Sequence, residues 1–149
     1  MTNALEAADL GPLLLRSRPE LFARLRARAR WISARYYGAP VYLVGSAVTR
    51  DDWRDIDLCV VLSPDLFLAI YDGDKASGET ASARLEAWRV GADRPTPPPI
   101  WQRWARDVAK QGANISAEFG LNVDFKVQHE NAVACLDAMP RVTLCHVNG

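Results

Sequence analysis

The sequence has no long hydrophobic run, no net charge and few cysteines or histidines. No apolar stretch approaches the roughly 20 residues that a membrane-spanning helix needs, and the N-terminus lacks a basic start followed by an apolar signal core. Eighteen basic residues balance eighteen acidic ones, which excludes a global attraction to nucleic acid or to an anionic membrane. These absences predict a cytoplasmic protein with no membrane partner, in which any binding of polyanions depends on local patches.

The cysteines and histidines do not form a metal-binding or disulfide pattern. Cys59, Cys135 and Cys145 are widely spaced and include no CxxC pair, which favours reduced, buried thiols over a zinc site or a disulfide framework. His129 and His146 each lack a partner at metal-ligand spacing. Both histidines are expected to be structural or exposed.

The length and composition fit one ordinary globular domain over residues 1–149. Of the 149 residues, 49% are hydrophobic and 24% are charged. A chain of this size can bury one good core and is too short for two. Disorder is therefore not expected.

Capping signals and apolar periodicity predict the secondary structure. Ser17 and Glu20 fit a capping box for a helix that ends near Tyr37, before Gly38 and Pro40. The other predicted elements outside residues 41–62 are a helix capped by Ser63 and ending at Tyr71, a loop over residues 72–78, an ambiguous stretch over 79–94, an extended proline-rich crossing over 94–99, a helix over 100–111, a strand around Asp124, a short helix over 131–139 and an edge strand over 141–147.

Five arginines lie mostly outside the apolar stripe of the first helix: Arg24, Arg26, Arg28, Arg30 and Arg35. The plainer interpretation is a solvated helix face. The alternative is a basic surface that meets nucleotide phosphates or a nucleic-acid acceptor. The sequence leaves both interpretations open.

The stretch over residues 41–62 carries the main functional signal. Two apolar runs flank a turn that ends in Asp55 and Asp57, which are separated by Ile56. Because side chains on a strand alternate between its faces, both carboxylates are expected on one face, while Ile56 and Leu58 enter the core. Two carboxylates held together where solvation is poor repel each other, and such a pair typically binds a divalent cation.

Three further residues strengthen this interpretation. Gly45 removes the Cβ where the backbone must approach a ligand, and the Ser46 hydroxyl can hydrogen-bond a phosphate. Asp55 alone would suit an ordinary turn. Asp57 and Asp124 are harder to explain structurally, because each interrupts an apolar strand where an unpaired buried charge is costly.

An apolar strand ending in Gly45-Ser46, followed by Asp55 and Asp57 on a second strand and Asp124 on a later one, resembles the nucleotidyltransferase superfamily that includes DNA polymerase beta. The similarity is strongest to its minimal, single-domain members and covers roughly residues 20–130. The resemblance implies an α/β (α+β) fold, in which helices flank a small mixed β-sheet.

The resemblance also implies a transferase chemistry. Asp55, Asp57 and Asp124 would be both the catalytic and the metal-binding residues, holding two Mg²⁺ ions, for which Mn²⁺ is the expected substitute. Gly45 and Ser46 would hold the β- and γ-phosphates of a nucleoside triphosphate, with ATP favoured. Asp124 would help deprotonate an acceptor hydroxyl, which attacks the α-phosphorus and expels pyrophosphate.

The acceptor is left open by the sequence. A protein, an RNA end and a small hydroxylated compound are all compatible with it, and the chain has no room for a second, acceptor-positioning domain. A homo-oligomer or a companion protein would supply that function, as in minimal nucleotidyltransferases that act as antitoxins. Only eight residues separate Ser46 from Asp55, fewer than is usual in the family. That short connection suits the alternative of a catalytically silent binding or assembly module.

Overall fold

The computed structural model describes residues 18–50, 52–72, 99–130 and 141–145. The predictions made for Ser17, Cys135 and His146, for most of the stretch over 72–99 and for the helix over 131–139 lie outside these residues. Within them the elements are α1 (Pro19–Arg35), β1 (Val41–Val44), α2 (Ser46–Thr49), β2 (Ile56–Leu62), α3 (Pro64–Tyr71), α4 (Pro99–Phe119), β3 (Val123–His129) and β4 (Arg141–Cys145).

The four described strands form one mixed sheet in the order β3-β2-β1-β4. Strand β1 is antiparallel to both β2 and β4, whereas β2 and β3 are parallel. Helices accompany this sheet, so the predicted α+β class is confirmed. The prediction that the last strand lies at an edge is also confirmed.

The two faces of the sheet differ in chemistry, because alternate residues of each strand point in opposite directions. On one face, Ile56 and Leu58 from β2 and Phe125 from β3 are buried in the main core. Helices α1, α3 and α4 contribute to this core; for example, the Tyr36 and Phe125 rings lie 6.1 Å apart. Asp57 and Asp124 therefore lie on the opposite face.

Helix α1 begins one residue later than the sequence predicts. Its N-cap is Arg18, which makes no side-chain capping bond, and Pro19 occupies the first turn. The N-cap is therefore Arg18 and not the predicted Ser17, whose own contacts lie outside the described residues. The buried stripe is as expected, with Leu21, Leu25, Ala29 and Ile32 in the core.

Helix α4 is longer than predicted, because it continues through Gly112 to Phe119. Its apolar stripe extends to Ile115 and Phe119, which are both buried, and this burial outweighs the weak helix preference of one glycine. Gly120 then ends the helix with a φ of 65°. No helix in the described ranges is both long and apolar enough to cross a membrane.

Helix α3 begins and ends where the sequence predicts. The Ser63 hydroxyl accepts a hydrogen bond from the backbone N–H of Leu66 at 3.2 Å, and Pro64 stands at the first helical position. Such a cap satisfies one of the N–H groups that a helix start leaves unpaired.

Four of the five arginines of α1 divide into two groups, and the fifth, Arg35, pairs with Asp107 of α4. Arg24 and Arg28 reach Glu118 near the end of α4: Arg24 donates to its carbonyl at 3.3 Å, and Arg28 pairs with its carboxylate at 2.9 Å. Arg26 and Arg30 are exposed, as a solvated face would be. The basic helix face thus serves in part to join α1 to α4.

Candidate functional site

The register of the sheet brings the two strand aspartates together. Asp57 lies opposite Val44 of β1 on one side and opposite Asp124 of β3 on the other. Neighbouring strands are about 4.8 Å apart, and both carboxylates point to the face away from the helices. The sequence predicted that Asp57 shares a face with Asp55. It did not predict the parallel register that pairs Asp57 with Asp124, which the structure shows.

Gly45 lies directly against the Asp57 side chain. Its φ is 78°, a conformation that glycine adopts readily, and a Cβ placed there would overlap the Oδ2 atom of Asp57. From the sequence, the missing Cβ of Gly45 was expected to let the backbone approach a ligand. The structure shows a more local requirement, since the missing Cβ makes room for the carboxylate itself.

Ser46 opens α2, a single helical turn over Ser46–Thr49. Gly45 is its N-cap, and the Val48 backbone N–H bonds the Gly45 carbonyl at 3.1 Å. Ala47 and Val48 are buried, which anchors the turn to the core. Ser46 is therefore held at the end of β1, next to the residue that touches Asp57.

Asp57 is half-buried, and its electrostatic surroundings disfavour its charge. Burial raises the pKa of the Asp57 carboxyl, and the Asp124 and Asp55 carboxylates raise it further, while Lys126 acts in the opposite direction. Hydrogen bonding to Asp124 adds a smaller rise to the pKa of Asp57. A group in this position is stabilised by any cation that binds beside it.

Asp124 is more open to solvent than Asp57. Its side chain is 50% exposed, and the Lys126 ammonium lies 3.8 Å from its Oδ2 atom. The two residues lie two positions apart on β3 and therefore share a strand face. An ion pair that is this exposed contributes little to stability, so both groups are accessible to a bound molecule.

Asp55 lies just before β2, not on it, and is exposed. Its Oδ1 atom accepts a hydrogen bond from the Asn122 side chain at 3.2 Å, and the Asn122 carbonyl accepts from the Ile56 N–H at 3.0 Å. Sequence reasoning missed Asn122. Its only signal was its place two residues before Asp124, which becomes informative once the parallel pairing of β2 with β3 is known.

The donor set suits a hard divalent cation but is not assembled into a complete cage. Carboxylate oxygens are the ligands that Mg²⁺ prefers, and Asp57 and Asp124 provide them side by side. Among the described residues, however, no three carboxylate, imidazole or thiol side chains lie close enough together to hold a metal. The pair fits a cation that keeps several water ligands, which is usual for Mg²⁺.

The residues next to the carboxylates are partly apolar. Val44 and Cys59 are buried on the same face of the sheet, with Tyr42 and Val61 packed against them. Cys59 and Cys145 form no disulfide bond within the described residues, and Cys59 is buried as predicted. His129, also buried, points into the opposite face beside Phe67. Neither the thiols nor this histidine joins the carboxylate pair.

Comparison with known proteins identifies no relative. No protein-family model, no curated protein and no solved structure matches the chain. Arguments about function therefore depend on the geometry of the chain's own residues.

Proposed function

We propose that the chain is a metal-dependent nucleotidyltransferase of the minimal, single-domain type, which transfers a nucleoside monophosphate from a nucleoside triphosphate to an acceptor hydroxyl. The observation that carries the proposal is the pairing of Asp57 with Asp124 beside Gly45. A fold has no structural reason to place two carboxylates on adjacent strands, because their repulsion and partial burial destabilise it. Binding a cation and a polyanion supplies a functional reason.

Each residue has a distinct role in this proposal. Asp57 and Asp124 would hold magnesium, for which manganese is the expected substitute, and Asp55, just before β2, is the proposed third ligand. Such a cation neutralises charge on the triphosphate and on the reacting oxygens. Gly45 and the Ser46 hydroxyl hold the distal phosphates. Asp124, the most open of the strand carboxylates, faces the acceptor and receives the proton of its hydroxyl.

The reaction then balances in one displacement. The acceptor oxygen forms a bond to the α-phosphorus, the bond from that phosphorus to the β-phosphate oxygen breaks, and pyrophosphate leaves. Positioning and charge stabilisation provide most of the catalysis in such transfers. Lys126 lies beside Asp124 and is placed to attract the phosphates.

A thermal-shift panel tests the nucleotide site before any acceptor is known. We expect one nucleotide, ATP in the first place, to raise the melting temperature of the wild-type chain only with magnesium. Saturation at about 100 times the dissociation constant corresponds to roughly 2.7 kcal/mol of stabilisation. The shift should be lost in Asp57→Asn and kept in Asp65→Asn, which makes the same chemical change on an exposed helix residue.

Isotopic labelling then tests the reaction. The acceptors to offer are the chain itself, an RNA with a free 3′ end and small hydroxylated compounds. Label should transfer from ATP carrying it in the α-phosphate and not from ATP carrying it in the γ-phosphate. Transfer from the γ-position alone would show a phosphoryl transferase and would refute the proposed reaction.

A catalytically silent nucleotidyltransferase-fold binding or assembly module is the second candidate. The observation that favours it is the absence, within the described ranges, of a third ligand close to the Asp57 and Asp124 pair. This module would give no magnesium-dependent shift with ATP, GTP, CTP or UTP, in the chain alone or with a companion protein.

The remaining expectations follow the proposed reaction. A cytoplasmic location would give access to ATP and to protein or RNA acceptors. A second copy or a companion protein is the proposed means of positioning the acceptor.

A further inference from the structure

A cleft on the helical side of the sheet is separate from the carboxylate pair. It has a volume of about 420 Å³ and is lined by Arg35, Tyr36, Tyr37, Tyr71, Arg103 and Asp107, among others. Tyr36 packs toward Phe125, whose side chain points away from the face that carries Asp124. The cleft is therefore on the other side of the sheet, and its volume is within the range of small-molecule sites.

A rigid polar wall forms the back of the cleft. Asp107 has a side chain that is 17% exposed, and its Oδ2 atom accepts hydrogen bonds from Tyr36 at 2.7 Å and from Tyr71 at 2.8 Å. Burial raises the pKa of both phenols far above their usual range, so they remain donors. The wall is thus fixed before any ligand arrives.

Two guanidinium groups give the cleft an excess of positive charge over the single carboxylate. Arg103 Nη1 donates to the Tyr71 carbonyl at 3.1 Å and to the Asp72 carbonyl at 2.6 Å, which holds its plane in place. In the described part of the chain, its Nε and Nη2 atoms make no hydrogen bond. Arg35 is 54% exposed and lies 3.3 Å from Asp107 Oδ1. Fixed guanidinium groups bind carboxylates and phosphates well.

Tyr37 lines the same cleft in an unfavourable conformation. It follows the C-cap of α1 with a φ of 58°, where glycine is the usual residue, and its side chain is 76% exposed. The fold gains little from an exposed ring and bears the strain of the backbone. Strain that is retained without a packing benefit is typical of functional positions.

We propose that this cleft binds a small molecule that carries both an aromatic ring and an anionic group, a phosphate or a carboxylate. Arg103 and Arg35 bind the anion, and Tyr37 stacks on the ring. The site does not depend on the proposed transferase function, because none of its residues belongs to the carboxylate face.

Isothermal titration calorimetry with AMP as the probe tests the proposal. The full chain is titrated in low salt with a chelator present, so that no divalent cation contributes. AMP is expected to bind with a dissociation constant of about 1 mM or tighter, and at least tenfold more tightly than inorganic phosphate or adenosine. Phenyl phosphate and benzoate then distinguish a phosphate from a carboxylate as the preferred anion.

Matched variants locate the binding site. Arg103→Gln should weaken AMP binding at least fivefold, whereas Arg106→Gln, an exposed arginine on the same helix outside the cleft, should leave it unchanged. Tyr37→Gly should weaken binding and raise the melting temperature, because glycine adopts the positive φ without strain. Ser46→Ala should leave AMP binding unchanged under the same conditions.

Three results would overturn the proposal. The first is the absence of any heat of binding with AMP, phenyl phosphate or benzoate at millimolar concentration. The second is an equal loss of binding in Arg103→Gln and Arg106→Gln. The third is a loss of binding in Ser46→Ala, which would assign the anion to the carboxylate face. A lower melting temperature in Tyr37→Gly would show that the ring is structural and would remove its stacking role.

Discussion

Asp57 is a half-buried carboxylate on β2 that faces a second carboxylate, Asp124, on β3. Because its pKa is raised in the folded chain, folding favours the protonated form, and ionisation of Asp57 destabilises the native state. This destabilisation is fully present above the raised pKa. It disappears as the pH falls through that value toward the ordinary aspartate range of about 4.

Asp57→Asn should therefore stabilise the metal-free chain at neutral pH, by roughly 0.5–1 kcal/mol because the group is partly solvated. The gain over wild type should shrink as the pH is lowered from about 7 to about 4. Urea unfolding at several pH values in the presence of a chelator measures both effects. A variant that is clearly less stable at neutral pH and still binds magnesium would contradict the assignment of this residue.

Gly45 is the residue that makes the position of Asp57 possible. Gly45→Ala should destabilise the chain by about 2 kcal/mol or more, since it adds strain at a positive φ and an overlap with the carboxylate. In an Asp57→Ala background the same substitution should cost less, because only the backbone strain remains. A double-mutant cycle measured by urea unfolding isolates the contact. Equal costs in both backgrounds would show that Gly45 and Asp57 do not interact.

At the scale of elements, α4 continues through Gly112, although the sequence predicted that the helix ends at residue 111. Gly112 lies in the helix interior, and an added Cβ would meet the Phe125 Cβ at 3.6 Å and the Val123 carbonyl at 3.8 Å, both ordinary contacts. Gly112→Ala should therefore stabilise the chain by about 0.5–1 kcal/mol through helix propensity. Thermal unfolding checks this expectation. Gly120→Ala is the matched control, and it should destabilise because Gly120 has a φ of 65°.

Local patterns predicted the elements of this fold better than their contacts. Alternation in β2 predicted that Asp57 lies on the face opposite Ile56 and Leu58, because that property depends only on neighbouring residues. The register that pairs them, and the contact of Asn122 with Asp55, depend on which strands are adjacent. The α1 start was wrong for a related reason, since a capping motif was assigned without the backbone geometry that it requires.

The same limit applies at the scale of the whole molecule. Asp107 looks like one charged residue on an amphipathic helix, yet its tyrosine partners are 71 and 36 positions away in sequence. Through Tyr36 and Tyr71, it joins the C-terminal ends of α1 and α3 to α4. No sequence window contains this arrangement. The three helices therefore cover the sheet as one connected layer.

Asp107→Ala should disrupt that layer, because it leaves two buried phenols without an acceptor and removes a partner of Arg35. An unsatisfied buried polar group costs about 1–3 kcal/mol, so a total loss of roughly 3 kcal/mol is expected in urea unfolding. Asp107→Asn keeps an acceptor oxygen and should lose less than half as much. Tyr71→Phe removes one hydroxyl and should cost about 1 kcal/mol.

Since the helices and the sheet share one core, the urea unfolding of Asp107→Ala should keep a single transition with an unchanged slope. Two transitions in Asp107→Ala would show that the helical layer and the carboxylate face unfold separately.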